Sequence, residues 1–183
     1  HRFVADVELS EGREKAKPIE KTKEERVAII GSGPGGLACA YELVKNGYPV
    51  TVFEAAPKSG GMMRYGIPEY RLPKHVLDDE INYIEELGVE IKTNTPVESL
   101  EDTFNQGYKA IFLSTGAWTS QTLNIPDEGA KGVIYALEFL KQVNSGETVA
   151  LGEKVAVIGA GSVAIDAARL SLRLGAKEVN LIC

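Results

Sequence analysis

Short apolar runs that stop at glycine, each followed by apolar residues at helical spacing, set the pattern of this chain. Val27-Ala28-Ile29-Ile30 stops at Gly31, and a four-residue apolar run bounded in this way suits a buried strand of a parallel sheet. Leu37, Ala38, Ala40, Tyr41 and Val44 then fall on one helical face, and Asn46-Gly47 supplies a stop. Val50 to Phe53 forms a second strand ending at Glu54, which completes a βαβ unit. Upstream, residues 11–26 are dominated by Glu, Lys and Arg and predict a solvated arm or linker.

Residues 55–74 are rich in Pro and Gly and predict a long irregular segment of the kind that carries function. A helix is expected over Val76 to Leu87, a short strand over Val89 to Ile91, and a buried strand over Lys109 to Ser114 that ends in the turn Thr115-Gly116. Ala136 to Val143 reads as a short helix. The opening pattern then recurs: Val155 to Ile158 runs into Gly159-Ala160-Gly161-Ser162-Val163-Ala164, an apolar helix follows, Gly175 stops it, and Val179 to Ile182 is the next strand. The fold class this predicts is α/β, Rossmann-like, with two dinucleotide-binding domains of which the second is incomplete. The expected division is a charged arm over 1–25, a partial first nucleotide domain over 26–150, and the start of a second over 151–183.

Composition narrows the function classes. With 20 basic against 26 acidic residues the chain has a net charge of -6, which disfavours nucleic-acid binding as its main activity. No apolar run approaches the ~20 residues needed to span a bilayer. Cys39 and Cys183 provide neither a Cys-x-x-Cys nor a metal-finger spacing, so no metal site is expected and a reducing cytoplasm is the expected compartment. The chain starts at His1 rather than Met, and the expectation is a piece of something longer.

The two glycine loops carry the candidate chemistry. In Gly31-x-Gly33-x-x-Gly36, with Pro34, Gly35 and Leu37 completing the turn into the helix, each glycine has a physical task. Gly31 permits the sharp turn, Gly33 lets a pyrophosphate approach the backbone, and Gly36 lets helix and strand pack closely. The helix amino terminus then faces the phosphates. Glu54, at the end of the second strand, is expected to accept two hydrogen bonds from ribose hydroxyls and to repel a 2′-phosphate, so this site should take FAD or NAD rather than NADP. In the second loop, Gly159-x-Gly161-x-x-Ala164, the acid is missing and Cys183 aligns with Glu54, which tilts that site toward NADP. The plainer readings are an ordinary strand–helix turn for the first loop and a duplicate without its ligand for the second. His75 reads as a surface residue and Cys39 as a small core residue; Trp118 either shields a flavin or packs.

Val27 to Glu54, then Gly60-Gly61-Met62-Met63-Arg64-Tyr65-Gly66-Ile67-Pro68-Glu69-Tyr70-Arg71-Leu72-Pro73-Lys74, then Ser114-Thr115-Gly116, then Val155 to Gly175 together resemble the glutamate synthase small-subunit family of FAD- and NAD(P)H-dependent oxidoreductases. The same module occurs in dihydropyrimidine dehydrogenase and electron-bifurcating transhydrogenases. The resemblance covers roughly residues 26–183 and implies a truncated portion of such a protein. It implies FAD at the first loop, with pyrophosphate contacts from Gly33 to Leu37, ribose contact from Glu54, and further contacts from Gly61, Met62, Arg71, Val97, Thr115 and Gly116. It places NADPH, or NADH, at the second loop through Ala160, Gly161, Ser162, Val163 and Ala164. It also implies a partner, an iron–sulfur domain or a large catalytic subunit, and no catalytic acid, base or nucleophile, since flavin accepts the hydride. The alternatives are an NAD-dependent dehydrogenase with NAD in the first site, and a non-catalytic electron-transfer or assembly fragment.

Overall fold

The computed structural model describes residue 7 and residues 16–183. The described residues form two compact units, one of those up to residue 58 together with 78–114, the other of residues 59–77 and 115–183. This division by compactness runs differently from the expected boundary at residue 150.

The first unit holds a four-stranded parallel sheet, β1 (Val27–Ile30), β2 (Val50–Phe53), β3 (Glu90–Lys92) and β4 (Ala110–Leu113), in the order β3-β2-β1-β4. That is one mononucleotide-binding half of a doubly wound sheet. Helix α1 (Pro34–Lys45) joins β1 to β2. Alternation along the strands explains their double burial. Ile29, Val50 and Val52 point into one cluster with Ala40 and Val44 of α1 and with Leu87 and Val89, whereas Ala28 and Phe53 point into another with Tyr108, flanked by Val97 and Ile111.

Helix α1 begins with Pro34 in its first turn, where the missing N–H costs nothing, and carries Lys45 in its last turn, beside the negative helix end. Gly47 closes it at φ +82, and a Cβ there would meet Thr22 Oγ1 at 2.2 Å. That contact shows where part of the expected arm lies. Thr22 and Lys23 donate backbone hydrogen bonds to Gly47 O, Ile19 donates to Leu87 O, and Ala16 and Ile19 pack against the first core cluster. Two apolar residues and backbone donors thus dock the chain over residues 16–23, while residues 17, 18 and 20–26 are exposed. Residues 1–6 and 8–15 lie outside the described residues.

Helix α3 spans Lys74–Glu86, and helix α4 (Leu100–Asn105), which the hydrophobic pattern did not announce, is capped by Ser99 accepting from the Asp102 amide. The expected buried strand over 109–114 is corrected: β4 forms, but Phe112 and Leu113 are 42% and 57% exposed. The reason is its place, paired only with β1 at the edge of the sheet.

The second unit contains α2 (Gly61–Tyr65), α5 (Ala136–Asn144), a two-stranded parallel sheet of β5 (Lys154–Ile158) and β6 (Glu178–Ile182), and α6 (Ser162–Arg173) between them. Phe139 and Leu140 of α5 pack on Ala167 and Leu170 of α6, with Tyr70, Val143, Val149 and Leu151 around them. The one-turn helix α2 interrupts the segment expected to be irregular throughout.

Candidate nucleotide sites

In the first unit Gly31 takes φ +102, which L side chains rarely adopt, and its amide donates to Phe53 O at 2.8 Å. Gly36 is required for another reason. A Cβ on it would stand 2.0 Å from Gly31 O and 2.7 Å from Ser114 Oγ, so α1 can approach the strand end only without a side chain there. Ser114 seals the same corner, its hydroxyl lying 3.0 Å from Ile30 O and 2.9 Å from Gly31 O.

Gly33 differs from both. Its backbone is extended at φ -68, ψ -178, and a Cβ on it would meet nothing within 4 Å. The fold itself makes no demand for glycine at this position. The first turn of α1 carries no acidic residue and no side-chain cap, which leaves its amide groups and positive end open beside that space.

Glu54 is buried at 7% exposure and held from three sides. Its Oε2 accepts from the Ser32 amide at 3.0 Å and from the Ser32 hydroxyl, and its Oε1 accepts from the Ala56 amide at 2.8 Å. A carboxylate offers about four lone-pair sites, so three protein bonds leave room for one more, on Oε1. Val97 lies half-buried against the cluster of Ala28, Phe53 and Tyr108.

The second unit repeats the geometry with changes. Gly159 has φ +123 and donates its amide to Ile182 O at 2.7 Å, as Gly31 does to Phe53 O. Ile158 pairs with Ile182 as Ile30 pairs with Phe53, so Cys183 follows its strand as Glu54 follows its own. Gly161, like Gly33, is extended at φ -75, ψ 172, and a Cβ would meet nothing within 4 Å. Helix α6 also begins with neither a side-chain cap nor an acidic residue in its first turn. Ala160, Ser162 and Val163 are exposed and Ala164 is buried.

The remaining residues singled out from the sequence fall as follows. Gly61 opens α2 with φ +52 and Met62 is half-buried beside it. Arg64, buried, donates through Nε to Ser59 O. Lys74 Nζ donates to Met63 O at 3.1 Å and Ile67 O at 2.6 Å, tying the segment from α2 to α3. Arg71 donates through Nη1 to Asp166 Oδ2 at 2.8 Å. Thr115 and Gly116 are exposed, and Thr115 O accepts from Trp118 Nε1 at 2.8 Å. Trp118 packs on Tyr65, ring centroids 5.8 Å apart, and lies under Lys141. His75 is exposed, and Cys39 is half-buried against the first core cluster, where burial pushes its thiol pKa up. Among the described residues no group of three or more His, Cys, Asp and Glu could hold a metal ion, and no helix is long and apolar enough to cross a membrane.

Sequence reasoning passed over Ser32 and Asp166, and named Ser114 and Lys74 only as members of their motifs without a role. Asp166 left a usable signal, an acid set among the apolar residues Ala164, Ile165, Ala167 and Ala168.

Two glycine loops of this kind on parallel βαβ units carry the dinucleotide-binding fingerprint, and residues 25–183 match the pyridine nucleotide-disulphide oxidoreductases. The chain belongs to that family. Pyridine nucleotide-disulphide oxidoreductases of this type bind FAD and NADPH. The chain is 42% identical over 99% of its length to the NADP(+)-dependent formate dehydrogenase subunit beta of Moorella thermoacetica, and 38% identical over 98% of its length to the glutamate synthase [NADPH] small chain of Escherichia coli. It spans 29% of the first relative and 41% of the second. Among solved structures, Mycobacterium tuberculosis FprA in complex with NADPH superposes with a TM-score of 0.70 at 27% identity, over 81% of this chain and 36% of that one. The resemblance to the glutamate synthase small subunit, the Rossmann-like fold and the oxidoreductase family are thereby established.

Proposed function

We propose that the chain is the nucleotide-binding part of an FAD-dependent oxidoreductase, with FAD on residues 26–150 and NAD(P)H on residues 151–183. Electrons then pass to an iron–sulfur domain or a large catalytic subunit. The observation that carries this reading is the open space over Gly33 and Gly161. Both positions have backbone angles any residue adopts and room for a side chain, so a ligand pressed against the backbone accounts for glycine where the fold does not.

Residues Gly33 to Leu37 hold the FAD pyrophosphate, with the amides of Gly33, Gly35 and Gly36 as the donors, since Pro34 has no N–H and the Leu37 amide donates to Gly33 O, and Glu54 takes a ribose hydroxyl. Gly61, Met62, Arg71, Val97, Thr115 and Gly116 supply the further FAD contacts that the family resemblance implies. Gly159 to Ala164 hold the pyrophosphate of NADPH, and the neutral Cys183 at the register of Glu54 leaves a 2′-phosphate unopposed. When bound, the reduced nicotinamide supplies a hydride and the flavin accepts it. The chain's residues bind, orient and exclude water; none is assigned a proton transfer. The names of the relatives, a "subunit beta" and a "small chain", support a larger partner. Cytoplasmic location is part of the same reading.

Titration of FAD into the purified chain, followed by flavin fluorescence, is expected to give saturable binding that Gly33→Ala weakens and NADP+ does not displace. Saturable NAD binding at the first loop with no affinity for FAD would overturn the assignment in favour of a simple dehydrogenase.

A further inference from the structure

Asp166 lies on α6 two residues beyond Ala164, buried at 5% exposure on a stripe with Ala164, Ala167, Ala168 and Leu170. Its two oxygens serve two consecutive residues of the Gly-Ile-Pro-Glu-Tyr-Arg segment. Oδ1 accepts from Tyr70 Oη at 3.2 Å, and Oδ2 accepts from Arg71 Nη1 at 2.8 Å. Tyr70 is clamped in turn by α6. The guanidinium carbons of Arg169 and Arg173 lie 4.6 and 4.3 Å from its ring centroid, each within cation–π range. Burial pushes the Tyr70 phenol pKa up, with Asp166 adding to the rise and the two arginines opposing it.

A buried acid is a poor choice for stability alone, because a well-packed apolar residue serves as well or better. What the acid adds is direction. The apolar contacts of Ala167 and Leu170 with Phe139 and Leu140 set which face of α6 is buried, and the hydrophobic effect behind them is itself non-directional. Hydrogen bonds that both carboxylate oxygens accept from adjacent residues fix rotation and axial position together. The element so fixed is the helix whose first turn closes the second glycine loop.

Resting on the assignment of that loop to NAD(P)H, we propose that Asp166 is a positioning residue for the nicotinamide nucleotide. It sets the amino terminus of α6, and with it the amides of residues 161–164, through its bonds to Tyr70 and Arg71. Arg71 keeps its Nε and Nη2 donors for other partners, so this role coexists with a flavin contact.

The test measures NADP+ affinity and amide hydrogen exchange for the chain and for Asp166→Asn, Arg71→Gln and Tyr70→Phe. Leu170→Ala serves as a variant that loses packing and keeps the network. The dissociation constant for NADP+ is expected to rise about tenfold in Asp166→Asn and Arg71→Gln, as for a misplaced but intact site. Tyr70→Phe should shift it less, in the same direction. Exchange should quicken in the peptide covering 159–165 and stay unchanged in the peptide covering 31–45. Unchanged affinity in all three variants, or a loss no greater than that of Leu170→Ala, would overturn the proposal. If Asp166→Asn does not fold, Tyr70→Phe, which removes a single hydroxyl, decides by the same two readouts. Failure of the unaltered chain to bind NADP+ would instead overturn the assignment of the second loop, and this inference with it.

Discussion

Ser32 gives both its backbone amide and its hydroxyl to a single carboxylate oxygen of Glu54. The second residue of the glycine loop thus holds the acid at the end of β2. Ser32→Ala removes one hydrogen bond to a buried charge and is expected to cost about 1.5–3 kcal/mol of stability. Thermal unfolding checks the cost. Flavin titration should show weaker FAD binding in the same variant; wild-type affinity would mean that Glu54 holds its orientation without the hydroxyl.

The three positions of the first loop should separate on substitution. Gly36→Ala places a methyl 2.0 Å from Gly31 O and is expected to destabilise the chain by about 3 kcal/mol or more. Gly33→Ala meets nothing within 4 Å and should melt close to wild type while losing about tenfold in FAD affinity, equivalent to ~1.4 kcal/mol. Gly161→Ala should behave toward NADP+ as Gly33→Ala behaves toward FAD. Denaturant unfolding beside ligand titration distinguishes the two kinds of glycine.

Lys74→Met removes the ammonium that bonds to Met63 O and Ile67 O. Its expected cost is about 1.5–3 kcal/mol, because two carbonyls lose a charged donor. Limited proteolysis should show faster cleavage within residues 61–73 than in the unaltered chain. Equal cleavage rates would show that the segment is held by its other contacts.

The two thiols should differ in reactivity. Cys183 is exposed, whereas Cys39 is half-buried with its pKa raised by desolvation. The thiolate is the reactive form, so a raised pKa lowers the reactive fraction at neutral pH. Alkylation near pH 7 is expected to label Cys183 first, and the Cys39 rate should climb as pH rises above the ordinary thiol range. Fast labelling of Cys39 at pH 7 would contradict the burial.

Short apolar runs, read as strands, and apolar positions at helical spacing, read as helices, were strong enough to place β1, β2, β5, α6 and β6 within a residue or two, and α1 within three. Those elements pair apolar runs with glycine stops, a signal that local sterics enforce. Helices α2 and α4 escaped because five or six residues give too little periodicity to read. The exposure of β4 escaped for a different reason: Ala110 to Leu113 reads as buried whatever its neighbours, and only the strand order reveals an edge.

What the sequence determined by itself is the chemistry that depends on local backbone geometry: two glycine turns, two helix amino termini, an acid after one strand and a neutral residue after the other. These follow from φ angles, strand length and helix capping, all set within a few residues. Only the tertiary structure decided which glycines the fold needs and which it leaves free. It also decided which protein groups hold Glu54, and that Asp166 binds Tyr70 and Arg71 across more than ninety positions of chain. Such contacts depend on how separate elements pack, and no local pattern encodes the distance between them.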